Sequence, residues 1–125
     1  MKASLNTLHH QDSDWLRELD FYKEETSILT KRLEEIVSKN TAQDIRAGIE
    51  HLQNRFILLR ERHDILAHNI RTREDAIEEL AKEKPEHITE HTNKVNDKIH
   101  ADIKEFAATF ADTRFELNQF LAKYL

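Results

Sequence analysis

Histidine and carboxylate side chains are the groups here whose types and spacing could do chemistry, and the chain carries eight histidines. His87 and His91 are four residues apart. On a helix both imidazoles would share a face and could ligate one divalent ion. Glu83, Glu86 and Glu90 lie close by in sequence. A second set pairs Asp64 and His68 with His100 and Asp102 at similar heights on facing helices, a His/carboxylate site of mixed N and O ligands. A di-metal helical site needs Glu-x-x-His pairs, or His-x-x-x-His and His-x-x-x-Glu sets, on several facing helices, and only His87/His91 meets the second pattern. Here Glu83 is followed three residues on by Glu86, and Glu90 by Asn93. The leading reading of these residues is therefore a solvated face without metal or cofactor, with a divalent metal held by His68, His87, His91, His100, Asp64 and Asp102 as the alternative.

Other chemistry is scarce. Cysteine is absent, which removes disulfides, zinc-thiolate sites and thiol nucleophiles. One glycine leaves no room for a phosphate-cradling loop. Ser27, Thr30 and Ser38 fall within a regular helical pattern that offers neither a nucleophile elbow nor an oxyanion nest. His63, Arg73 and Thr26 are different in kind. They occupy positions where an apolar seam would otherwise continue, so they read as buried polar residues that set helix register. An Arg73–Asp97 pair would serve that purpose.

The elements that must position these groups are helices. With one Gly and one Pro, the chain cannot punctuate a many-stranded β fold. Trp15, Leu19, Tyr22, Thr26, Leu29, Leu33 and Ile36 follow spacings that alternate 4 and 3, a heptad seam. This predicts a first helix over about 13–39, capped by Asp12 or Ser13, after an arm (1–12) that is frayed or flexible, an extra helical turn or two being the alternative. Ile45, Ile49, Leu52, Phe56, Leu59, His63, Leu66, Ile70, Arg73, Ile77 and Leu80 form the seam of a second helix, 41–84, which Thr41 and Asp44 can cap. Pro85 closes it. Ile88, Thr92, Val95, Ile99, Ile103, Phe106, Phe110, Thr113, Leu117, Leu121 and Tyr124 line a third, 86–125.

The second helix outruns the first. At about 1.5 Å per residue they measure roughly 66 and 40 Å. Apolar residues flank the seams only in part of the chain: Leu16, Phe21, Ile28 and Val37, then Ile57, Leu58 and Ile65. A broad apolar face needs two neighbours and a narrow seam needs one. The expected fold is one all-α domain, 1–125, of three long antiparallel helices. It forms a three-helix bundle at one end, with a two-helix coiled-coil hairpin (about 67–102) projecting from it. A bare hairpin buries little surface, which predicts a homodimer.

Two resemblances attach to particular segments. Arg62-His63-Asp64-Ile65-Leu66-Ala67-His68 resembles the Arg-x(4–6)-His motif of the HEPN family, all-α proteins that include metal-independent ribonucleases. The resemblance implies Arg62 as phosphate stabiliser and His68 as acid/base. It covers seven of 125 residues. ELDFYKEE (18–25), RLEEIVSKNT (32–41), IEHLQNRFI (49–57) and DILAHNI (64–70) together resemble small bacterial all-helical proteins of unknown function. That likeness implies a cytoplasmic bundle and no particular activity.

Charge completes the expectation. Nineteen Lys and Arg against 24 Asp and Glu leave a formal charge of −5, which disfavours nucleic acid. No apolar run is long enough for a membrane span or a signal peptide. The function expected from the sequence is a non-enzymatic, cytoplasmic scaffold or protein-interaction module acting as a homodimer.

Overall fold

A computed structural model describes residues 5–37, 43–83 and 88–124, and within them every side chain except those of residues 5, 6, 44 and 88–94. It is all-helical, with helices α1 (Leu5–Val37), α2 (Gln43–Glu83) and α3 (Ile88–Tyr124). Each helix packs against both others. The proposed caps at Thr41 and Asp44, and the Pro85 turn, lie outside the described residues or side chains. Lys82 and Lys123 stand in the last turns of α2 and α3, where a cation complements the helix dipole.

Cross-helix pairs establish the directions. Asp12 meets Arg73, Asp20 meets His63 and Lys23 meets Asp64, so α1 and α2 run antiparallel. Arg55 bonds Thr113 and His51 bonds Glu116, so α2 and α3 are antiparallel too. Trp15 lies against His100 and Tyr22 against Phe106, which makes α1 and α3 parallel.

The alternating 4 and 3 spacings place the core well. Leu19, Leu33, Leu52, Phe56, Leu59, Ile70, Phe106 and Leu117 are all buried, as are the polar seam residues Thr26, His63, Arg73 and Thr113. On α3 the seam takes two successive steps of four, Val95 to Ile99 to Ile103, and Ile99 and Ile103 both stay in the core.

Three expectations need correction. α1 begins by Leu5, so residues 5–12 are helix and not a loose arm, and Asp12 is interior to the helix and not its cap. The seam in fact continues backwards through Asp12 to Leu8, which are 1% and 3% exposed. Asp12 interrupts the apolar pattern, and that hid the extension.

The second correction follows from the first. Leu8 packs with Ile77, Leu80 and Ala81 near the end of α2, and Trp15 lies beside His100 of α3. α1 therefore accompanies the stretch expected to project as a bare hairpin. The third concerns width. Phe21, Ile28, Val37, Ile57, Leu58, Ile65 and Phe115 do not broaden the core but are 40–62% exposed.

Gly48 answers a packing demand. A Cβ there would sit 2.6 Å from the Phe120 ring. The ring of α3 thus lies on the bare backbone of α2, which offsets part of the ~1 kcal/mol that glycine costs inside a helix.

Candidate functional site

The polar residues of the seams gather into layers across the bundle. Arg73 of α2 reaches Asp12 of α1 through Nη2 and Oδ1. Its guanidinium carbon also lies 5.2 Å from the centre of the Trp15 ring, a cation–π contact. The expected Asp97 partner is exposed on α3 instead. Arg73 Nε and Nη1 are buried and find no acceptor among the described residues. Burial pulls the guanidinium below its ordinary range, and the Glu74 carboxylate works in the opposite direction. Arginine remains charged regardless, its reference value being so high.

Around this pair the polar residues continue. His9 contacts Glu74 from α1, closing a second link between the two helices. On α3, the buried side-chain oxygen of Asn96 has no partner among the described residues. The α2–α3 register given by Gly48–Phe120 and Arg55–Thr113 brings Asn96 level with Arg73.

His63 forms the next layer. Its Nδ1 is 2.9 Å from Asp64 Oδ1 and its Nε2 is 3.3 Å from Asp20 Oδ1. Carboxylates only accept, so both bonds exist together only with a doubly protonated ring. Lys23 approaches the same Asp64 oxygen at 3.7 Å. The hydrogen bond from His63 holds the Asp64 carboxyl below the usual carboxylate range against an opposing desolvation, and the Lys23 charge adds to the lowering.

Thr26 and Thr113 satisfy themselves locally. Each donates to the carbonyl four residues back, Thr26 to Tyr22 at 2.7 Å and Thr113 to Thr109 at 2.8 Å. Thr113 also accepts from Arg55 Nε at 3.1 Å, and Glu116 receives both Arg55 and His51. Tyr22 sits among Phe21, Phe106 and Phe110. Burial first, then the Glu18 carboxylate, raises its phenol above the ordinary value, while Arg114 acts to lower it.

The described members of the metal set, Asp64, His68, His100 and Asp102, are dispersed. Asp64 faces α1 through Lys23, whereas Asp102 lines the groove between α2 and α3. His100 turns towards Trp15 of α1, and His68 is exposed, 3.5 Å from Thr72 Oγ1. Among the described residues no group of three or more His, Cys, Asp or Glu side chains could hold a metal ion. His87, and the side chain of His91, lie outside what the structure describes.

Arg62 and His68 also part company. Arg62 lines the α2–α3 groove of about 370 Å³ with Ile65, Leu66, Asn69, Lys98, Asp102, Glu105 and Phe106, and His68 is not among its walls.

Spacing alone missed Asp12, His9, Glu74 and Asn96. One signal was present for Asp12. It stands four residues after Leu8 and three before Trp15, in step with the seam, and a buried acid on one helix calls for a buried base on another.

Among the described residues no helix is long and apolar enough to cross a membrane. The chain matches no protein-family model, no curated protein and no solved structure.

Proposed function

We propose that this protein is a non-enzymatic helical scaffold, a protein-interaction module that acts as a homodimer. One observation carries the reading. Seven large apolar side chains stand 40–62% exposed on helices whose seams are already filled. Phe21, Ile28 and Val37 lie on α1, Ile57, Leu58 and Ile65 on α2, and Phe115 on α3. Contiguous exposed apolar patches mark surfaces that bind other proteins, and Phe21 with Ile28, and Leu58 with Ile65, stand seven residues apart on single helix stripes. Within each copy, His63 and Arg73 hold the helices in register, Arg73 through Asp12 and His63 through Asp20, while Thr26, buried in the same seam, bonds within its own helix. A polar seam residue that must find its partner penalises every other alignment.

Sedimentation velocity and native mass spectrometry of the untagged protein at micromolar concentration test this. A metal-free dimer is the expected result. A monomer across the micromolar range would refute the homodimer. A stoichiometric metal mass would refute the metal-free scaffold and favour the His/carboxylate alternative.

A further inference from the structure

We infer that the outward face of α1 centred on Ile28 is the surface on which a second copy of this chain docks, antiparallel, about a two-fold axis. The inference rests on the homodimer proposed above and names its interface. Phe21 and Ile28 are 55% and 49% exposed, seven residues apart, and so lie on one stripe of α1. Tyr22 meets Phe106 and Phe110 of the parallel α3. The same offset brings Phe115, 62% exposed, level with Ile28.

The charges around Ile28 specify the occupant. Glu24 and Glu25 precede it by four and three residues, and Lys31 and Arg32 come three and four residues after it. When two such helices cross antiparallel at Ile28, the N-terminal side of the stripe in one copy meets the C-terminal side in the other. Glu24 then faces Lys31 of the second copy and Glu25 faces Arg32, each pair on its own flank of the stripe. The two-fold axis repeats both, giving four opposite-charge pairs around an Ile28–Ile28 contact. A parallel crossing would set like against like. None of these four residues is in an ion pair with another described residue of its own chain.

A closed two-fold contact needs this self-complementarity, because one patch must serve both sides. The other exposed stripe lacks it. Leu58 and Ile65 of α2 flank Glu61 and Arg62, and an antiparallel crossing between them sets Glu61 near Glu61 and Arg62 near Arg62.

Charge exchange tests the inference. Glu24→Lys with Glu25→Lys makes the four positions flanking Ile28 all basic, and Lys31→Glu with Arg32→Glu makes the four all acidic. Each double variant alone should sediment as a monomer at concentrations where the wild type is a dimer. Mixed in equal amounts, they should form a heterodimer by native mass spectrometry. The chain carrying all four changes regains self-complementarity and should dimerise. Glu24, Lys31 and Arg32 are exposed and Glu25 is half-buried, and all four stand outside the apolar seam, so circular dichroism should show unchanged helix content. If the wild type is a dimer and both double variants remain dimers, the homodimer stands and this interface falls. A monomeric four-fold variant likewise overturns the interface. A monomeric wild type overturns both.

Discussion

Arg73 of α2 and Asp12 of α1 form an ion pair deep in the bundle, 4% and 1% exposed, with the face of Trp15 beneath the guanidinium. Taking two charges out of water is costly, and the attraction between them repays it only while both are present. Asp12→Ala leaves Arg73 buried without its carboxylate and should cost about 3–5 kcal/mol. Replacing both partners by apolar residues, Asp12→Leu with Arg73→Met, should recover most of that loss. Urea unfolding of the three proteins decides the matter, and a cost below about 1 kcal/mol for Asp12→Ala would show that the pair is not closed in solution.

Leu8 separates a docked first helix from a loose arm. It is 3% exposed against Ile77 and Leu80. Leu8→Ala should destabilise by about 2 kcal/mol, the low end for a buried leucine, because its cluster is small. Removing residues 1–12 should cost more, since Asp12 goes as well. Unchanged thermal unfolding after that truncation would return the segment to a frayed arm.

Acid should weaken the link between His63 and Asp64. The folded carboxyl of Asp64 titrates below its ordinary range because His63 bonds it. An acid with a depressed folded pKa stabilises the fold fully above its unfolded value, near 3.9, and loses that contribution as pH falls through the folded value. Urea midpoints measured from pH 6 to pH 2 should therefore fall less steeply for Asp64→Asn than for the wild type. Equal slopes would mean that the carboxylate gains nothing from His63.

Gly48 and Phe120 should be coupled. In a Phe120→Ala background, Gly48→Ala has room for its methyl group and should gain about 1 kcal/mol of helix propensity. In the wild type the same change meets the ring, and displacing it should cancel most of that gain. A double-mutant cycle reads the difference, and additive effects would show that the ring does not rest on the glycine.

Heptad spacing made the core legible. The residues it selected on α1 and α2, from Trp15 to Ile36 and from Ile45 to Leu80, are the buried or half-buried ones, polar positions included. The flanking residues were not legible in the same way. Ile57, Leu58 and Ile65 adjoin the seam in sequence yet face solvent. How wide a stripe a helix buries depends on where its neighbours sit, and periodicity says nothing of that.

Sequence by itself determined three helices, their antiparallel succession and which face of each turns inwards. These arise from the 3.6-residue period and short connections, both local properties. Only the tertiary structure decided the axial offset between helices, and with it that Arg73 meets Asp12 and not Asp97, that Leu8 reaches Ile77, and that Asp64 meets Lys23 of α1 while Asp102 lines the α2–α3 groove. A heptad seam looks nearly the same when a helix slides by seven residues. Its offset is chosen by pairs such as Asp12–Arg73 and Asp20–His63, whose two halves lie on different helices and become one feature only when the chain is folded.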